Sequence, residues 1–95
     1  INVQNADLKD HKMGKVIVTI RIVPESKSIE EIEKIVKEKI KPEKIERKPF
    51  VFGLKALIVD KIVEDKENEM ENLENKLREI GESYEIINIT RVFLD

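Results

Sequence analysis

Residues 15–23 read Lys-Val-Ile-Val-Thr-Ile-Arg-Ile-Val, and this stretch decides the class of fold. Most of its residues are β-branched, and apolar side chains recur at every second position, which is typical of a strand with one buried face. The residues of that face are Val16, Val18, Ile20 and Ile22. The opposite face is mixed and consists of Lys15, Ile17, Thr19 and Arg21. Pro24 ends the strand, so we expect a sheet that is covered by other elements on one face.

A helix is predicted directly after this strand. Ser28 and Glu31 have the spacing of a capping box, in which each side chain accepts a hydrogen bond from the other residue's backbone N–H. Apolar residues then follow in steps of three and four, which places them on one helical face. They are Ile29, Ile32, Ile35, Val36 and Ile40. Pro42 ends the helix just after Lys41, because the residue before a proline disfavours helical backbone.

Two further strands are predicted in the middle of the chain. Residues 43–51 favour a short strand, and Pro49 places it at a sheet edge because proline has no N–H to donate. Residues 54–63 favour a longer strand. Its inward residues are Leu57, Val59 and Val63. Lys61 interrupts this set, unless its aliphatic stem carries the ammonium group outward at the end of the strand.

A second helix and a last strand complete the chain. Asn68 follows a charged loop and is predicted to cap the helix. The apolar stripe of this helix consists of Met70, Leu73, Leu77 and Ile80. Gly81 stands where a left-handed C-terminal cap belongs, and residues 84–94 favour a final strand.

The order β-α-β-β-α-β predicts an α+β protein. If each strand–helix–strand half crosses over right-handedly, the result is a four-stranded antiparallel sheet with two helices on one face. This is the ferredoxin-like arrangement. We expect residues 13–95 to form this single domain, with Met13 as the natural start. Residues 1–12 are expected to be a disordered tail or an added extension.

Composition excludes most kinds of chemistry. The chain of 95 residues has no cysteine, which excludes disulfides, thiolate catalysis and cysteine metal sites. Its one histidine, His11, has no second histidine with which to build a metal site and lies outside the expected domain. The glycines, Gly14, Gly53 and Gly81, are too far apart for a phosphate-binding loop. We therefore expect no enzymatic activity, no cofactor and no direct nucleotide binding.

Charge and hydropathy narrow the class of partner. A net charge of −2 gives no overall attraction to nucleic acid or anionic lipid. No apolar run approaches the roughly 20 residues that a membrane span needs. The acidic run Glu64, Asp65 and Glu67 could bind a hard cation, but a solvated turn is the more common use of such a run. We expect a cytoplasmic protein with neither a nucleic acid nor a membrane as its partner.

Two alternatives use the same fold. An RNA-binding module would stack bases on aromatic side chains of the open sheet face. None of the residues predicted on that face is aromatic. They are Ile17, Thr19, Arg21, Ile58, Asp60 and Ile62. A regulatory module that binds a small metabolite would need a loop able to surround the ligand, and so few glycines indicate none.

Residues 49–55 read Pro-Phe-Val-Phe-Gly-Leu-Lys and form the most distinctive segment. Rigid aromatic residues beside a cation, on a loop, are typical of protein–protein interfaces. The alternative is that Phe50 or Phe52 fills the core and that Gly53 forms a β-bulge.

This segment resembles the exchange domain of elongation factor 1 beta. That family has a Pro-x-x-Phe-Gly-Leu/Ile-Lys-x-Leu pattern at the entry to its third strand. The matching residues here are Pro49, Phe52, Gly53, Leu54, Lys55 and Leu57. Residues 23–26, Val-Pro-Glu-Ser, resemble the turn after the first strand in archaeal members. Residues 63–65, Val-Glu-Asp, resemble a later turn of the family. The resemblance covers residues 13–94.

The resemblance implies a guanine nucleotide exchange factor whose partner is the GTPase elongation factor 1 alpha. The residues implied at or beside the contact are Phe50, Phe52, Gly53, Leu54 and Lys55. Phe52 would be the apolar anchor, Gly53 would allow close backbone approach, and Lys55 would meet an acidic or carbonyl group. Eukaryotic relatives add a C-terminal extension with a lysine, which has no counterpart before Asp95.

Overall fold

The computed structural model describes residues 14–92. Helices and strands follow in the order β1 (Lys15–Val23), α1 (Ile29–Lys39), β2 (Lys44–Pro49), β3 (Lys55–Glu64), α2 (Glu67–Ile80) and β4 (Ser83–Val92). The strands form one sheet in the order β2-β3-β1-β4, and neighbouring strands are antiparallel. The predicted ferredoxin-like α+β fold is confirmed. Residues 1–12 and Met13, for which a tail and a natural start are expected, lie outside the described residues.

One hydrophobic core joins the sheet to both helices. The inward residues of β1 are all buried, as their alternation predicts, and those of β3 pack beside them. The helices contribute the buried residues Ile32, Val36, Leu73, Leu77 and Ile80. Because the buried residues of β1 alternate along the strand and belong to one cluster with the buried residues of both helices, α1 and α2 cover the same face of the sheet. The other face is open and carries the remaining residues of β1 and β3.

The predicted ends of α1 and α2 are mostly confirmed. In α1, Glu31 N donates to Ser28 Oγ at 3.1 Å and Ser28 N donates to the Glu31 carboxylate at 3.1 Å, which completes the capping box. In α2, Gly81 is the C-cap and has the left-handed conformation, with φ of 79°.

The predicted start of α2 is wrong. The helix begins at Glu67, so Lys66 holds the N-cap position and Asn68 lies inside the first turn. Glu67 and Glu69 are also in that turn. Their negative charges interact favourably with the positive end of the helix dipole, which supports an earlier start without a capping side chain at Asn68.

Lys61 behaves as its long stem predicts. Its Nζ donates to the backbone carbonyl of Lys41 at 3.1 Å. Lys41 has a φ of 53°, in the left-handed region, immediately after α1. Lys61 thus starts from an inward position of β3, and its ammonium group reaches past the core and binds the segment that follows α1.

The strand β2 lies at the sheet edge, as Pro49 predicts. Its Arg47 donates from Nε and Nη2 to one carboxylate oxygen of Glu33 in α1, at 3.0 and 2.7 Å. These hydrogen bonds lower the pKa of Glu33. The edge strand is thus joined to the helix layer by a charge-assisted contact at the surface.

The strand β4 contains an irregularity that the sequence does not predict. Its pairing with β1 shifts between Thr19 and Ile20, which leaves Ile87 as an extra, bulged residue. Beyond this bulge, Ile89 pairs with the buried Val18, yet Ile89 is 50% exposed. The helix layer therefore does not extend over the second half of β4.

A buried carboxylate joins the turn after β1 to the start of β4. Glu82 is buried, and its carboxylate accepts hydrogen bonds from Ser26 Oγ at 2.6 Å, from Ser26 N at 3.1 Å and from Glu25 N. Lys27 Nζ lies 3.6 Å from the second oxygen. The Ser26 hydroxyl first, and then the Glu25 backbone N–H, lower the pKa of Glu82 from 4.5 to about 2. The Pro-Glu-Ser turn thus has a structural role, because it supplies the hydrogen-bond donors that surround the Glu82 carboxylate.

This pKa predicts a specific loss of stability in acid. Because the folded-state pKa is depressed, the contribution of Glu82 to stability is complete above pH 4.5 and is lost as the pH falls toward about 2. We expect Glu82→Gln to lower the thermal midpoint at pH 7, and the difference from the unsubstituted chain to shrink between pH 4.5 and 2. Thermal unfolding followed by circular dichroism across this range measures the difference. A difference that is independent of pH would contradict the assignment.

Candidate functional site

The hairpin between β2 and β3 carries the segment that the sequence marks as distinctive. The two strands pair as far as Pro49 and Lys55, and residues 50–54 connect them, a segment we name the hairpin tip. Phe50 N donates to Leu54 O at 2.7 Å, and Leu54 N donates to Val51 O at 3.1 Å. The first bond closes the hairpin connection, and the second, from a residue to the carbonyl three positions earlier, belongs to a single turn of 3₁₀ helix over Val51–Gly53.

Phe52 is the most exposed large apolar residue among those that the structure describes. Its exposed fraction is 95%, and its backbone is left-handed, with φ of 56° and ψ of 34°. This conformation is unfavourable for a bulky residue, and an exposed aromatic ring gains nothing from burial to offset it. Phe52 therefore does not fill the core, and its place on the turn directs the ring away from the domain.

The neighbours of Phe52 extend this apolar surface. Leu54 is 50% exposed, and Val51, which the family resemblance does not place at the contact, is similarly exposed. Lys55 follows at the first position of β3 and is also exposed. The hairpin tip thus presents three adjoining apolar side chains with a cation beside them, a composition suited to a protein contact.

Phe50 has a different position from Phe52. It is half-buried, and the guanidinium carbon of Arg21 lies 5.0 Å from the centre of its ring. Arg21 alternates with the buried Ile20 and Ile22, so this contact lies on the open face of the sheet. The expectation that no aromatic residue reaches the open face is therefore wrong, because the hairpin connection brings Phe50 onto it. A single ring already covered by an arginine is not a surface for stacking successive bases.

Gly53 follows Phe52 with a φ of 76°, also left-handed. An added Cβ at this position would meet no atom within 4 Å. Within the chain, glycine is thus favoured at this position by the left-handed backbone conformation and not by a steric clash with a side chain.

This geometry predicts a modest cost for Gly53→Ala. We expect a loss of about 1 to 2 kcal/mol in the free energy of unfolding, because an L-residue disfavours the left-handed conformation. Urea denaturation measures this value. Gly14, at the boundary of the described residues, also has a positive φ, of 63°, and Gly14→Ala serves as a comparison outside the hairpin. An unchanged stability in Gly53→Ala would mean that the turn relaxes to another conformation.

Two residues of the acidic run at the end of β3 form ion pairs. Glu64 lies 3.2 Å from Lys66 Nζ, and Asp65 lies 2.5 Å from Arg91 Nη1. Within residues 14–92, no group of three or more Asp, Glu or His side chains is arranged to hold a metal ion. These contacts favour the interpretation of the run as a solvated turn.

An open cleft lies at the opposite end of the sheet from the hairpin tip. Its lining includes Lys15, Lys61, Glu64, Glu69 and Lys76, and its volume is about 370 Å³. It is open, and half of its lining residues are charged, unlike the apolar pockets that hold small metabolites. Neither helix of the described region has the length and apolar character needed to cross a membrane.

The fold and this surface define a class: a small ferredoxin-like domain whose most distinctive feature is an exposed apolar hairpin. Residues 17–92 match the family described as the EF-1 guanine nucleotide exchange domain, and the chain belongs to this family. Its role is therefore guanine nucleotide exchange in translation elongation. The resemblance inferred from the sequence is confirmed, and neither the RNA-binding nor the metabolite-binding alternative is favoured.

Two archaeal relatives support the assignment. The chain is 40% identical to elongation factor 1-beta of Methanoregula boonei over 83 residues, which cover 82% of this chain and 98% of the relative. It is also 40% identical to elongation factor 1-beta of Methanothermobacter thermautotrophicus over 72 residues, which cover 68% of this chain and 80% of the relative. The similarity thus extends over most of the domain and is not confined to the hairpin motif.

Proposed function

We propose that this chain binds the GTPase elongation factor 1 alpha and accelerates the release of its GDP, with the hairpin tip as a contact surface. The observation that carries this proposal is the 95% exposure of Phe52 in an unfavourable backbone conformation. Backbone strain of this kind concentrates at functional sites, where the surrounding structure maintains it. The printed names of both relatives, elongation factor 1-beta, support the choice of partner.

The physical basis of exchange is linkage between two binding equilibria. A factor that prefers the nucleotide-free GTPase must weaken nucleotide binding by the same ratio by which nucleotide weakens the binding of the factor. The factor needs no nucleotide site of its own and forms no covalent bond with its partner. It acts as a binding protein and not as an enzyme, it requires no cofactor, and it works with the GTPase in the cytoplasm.

Each residue of the tip has a distinct role in this proposal. Phe52 inserts its ring into an apolar pocket of the partner, and Leu54 packs beside it. Gly53 permits the left-handed turn that presents them. Lys55 pairs with a carboxylate or carbonyl at the rim, where charges affect association rate more than affinity. Phe50 forms the base of the tip on the open sheet face.

The direct test is nucleotide release from an archaeal elongation factor 1 alpha loaded with a fluorescent GDP analogue. The chain is added in increasing concentration with excess GTP, and the release rate is followed by fluorescence. We expect the rate to rise and saturate, which gives a maximal rate and a half-saturating concentration. Release that remains at its spontaneous rate at every concentration would refute the proposal.

A further inference from the structure

Arg21 connects the hairpin tip to the rigid centre of the sheet. It lies on β1, which pairs with β3 on one side and with β4 on the other. Its guanidinium carbon is 5.0 Å from the centre of the Phe50 ring, within the range of a cation–π interaction. Phe50 is also the residue whose N–H closes the tip onto Leu54. A contact that holds the Phe50 ring therefore acts on the residue from which the tip begins.

Arg21 is itself held in place by β4. Its Nη2 lies 2.5 Å from Glu85 Oε1, and Arg21 and Glu85 are direct partners in the β1–β4 register. A guanidinium group can stack on a ring while its edge binds a carboxylate, because it is planar and carries several N–H donors. The three residues Arg21, Phe50 and Glu85, which we name the Arg21 cluster, thus link β4, β1 and the hairpin across the open face.

The Phe50 ring of this cluster lies outside the core and beside a cavity. A small open cavity of about 130 Å³ lies between Phe50 and the start of β4, bordered by Val23 and Tyr84. Phe50 is not part of the buried core, and β2, which precedes it, is an edge strand. The cation–π contact is therefore a specific interaction that sets the position of the ring.

We infer that Arg21 is a positioning residue for partner binding: it fixes Phe50 and thereby preorganises Phe52 and Leu54 on the hairpin tip before the partner arrives. The inference rests on the proposed function, in which the tip contacts the GTPase. Ordering the tip in the free chain removes an entropy cost that binding would otherwise incur. Loss of Arg21 then weakens association but leaves the maximal exchange rate unchanged, because the side chains that contact the partner are still present.

The test compares Arg21→Met, which keeps an unbranched stem and removes the cation, with the conservative Arg21→Lys. For Arg21→Met we expect the half-saturating concentration for nucleotide release to rise about two- to five-fold, the equivalent of an exposed cation–π contact. Arg21→Lys should recover part of this loss, since it retains the cation. In the free chain, amide ¹⁵N relaxation should show increased motion of residues 51–54 in Arg21→Met.

The matched control is Arg91→Met. Arg91 has the same kind of ion pair, with Asp65 at 2.5 Å, but at the opposite end of β4. We expect it to change neither the half-saturating concentration nor the relaxation of the tip. Thermal unfolding of both variants establishes that they remain folded at the assay temperature.

A double-mutant cycle separates positioning from direct contact. If Arg21 acts through the Phe50 ring, Arg21→Met should add little to the defect of Phe50→Leu, because residues that act as one unit are not additive. Full additivity, a reduced maximal rate, or a tip as ordered as in the unsubstituted chain would each overturn the inference. These outcomes are distinct from failure of the proposed function, in which the unsubstituted chain itself does not accelerate release.

Discussion

Replacing Phe52 by alanine should raise the half-saturating concentration for nucleotide release by about 30-fold, the equivalent of a hot-spot loss of about 2 kcal/mol. The ring is 95% exposed in the free chain, so nearly all of its surface remains available for a partner to bury. The folded chain should be unaffected, since substitutions of exposed side chains usually change stability by less than about 0.5 kcal/mol. Alanine also retains the cost of the left-handed backbone at this position.

The control for Phe52→Ala is Ile89→Ala on β4. Ile89 is an exposed large apolar residue that lies outside the hairpin, so it tests whether exposed apolar surface alone accounts for the effect. The measurement is the concentration dependence of fluorescent GDP release, with circular dichroism to verify the fold. If Phe52→Ala and Ile89→Ala both behave like the unsubstituted chain, the hairpin tip is not the contact surface, although exchange activity would stand.

Replacing Ile20 by alanine should have the largest effect on stability, a loss of about 2 to 5 kcal/mol. Ile20 is completely buried on the central strand β1 and belongs to the core that joins the sheet to both helices. Because the rest of the core relaxes only partly, the substitution leaves a cavity in addition to the lost apolar burial. In a domain of this size the thermal midpoint should fall by roughly 10 to 30 °C.

Ile17→Ala provides the matched comparison for Ile20→Ala. It removes the same atoms from the same strand, but Ile17 is half-buried on the open face. We expect it to cost less than half as much, as measured by urea denaturation of both variants. Equal losses would indicate that the open face is packed as tightly as the helix-covered face, which contradicts the arrangement of the core.

The order of the elements and the inner face of the sheet follow from local sequence patterns. Apolar residues alternate with other residues in 15–23 and recur in steps of three and four in α1. Each pattern places the apolar side chains on one face of its element, independently of distant residues. The capping box at Ser28 and the left-handed cap at Gly81 are equally local, since each is complete within a few residues. The family motif at the hairpin is likewise contained in a short segment.

Contacts between distant residues could not be predicted in this way. Glu82 is a charged residue of a type that is rarely buried without partners, and it is buried because the turn at Ser26, 56 residues away, supplies its hydrogen-bond donors. The bulge at Ile87 depends on the pairing of β4 with β1. Ile89 is exposed beyond this bulge because the helix layer does not cover it. The extent of that layer cannot be predicted from the residues of β4 alone.

The difference between what the sequence determines and what the tertiary structure decides is clearest at Phe50 and Phe52. The sequence by itself determined a hairpin segment with two aromatic residues beside a glycine and a lysine, within a fold and a family that its patterns define. It did not determine which ring is free, because residues two apart share a face in any regular strand. The tertiary structure decided this: Arg21 on the neighbouring strand holds Phe50, and the positive φ of Phe52 turns its ring into solvent.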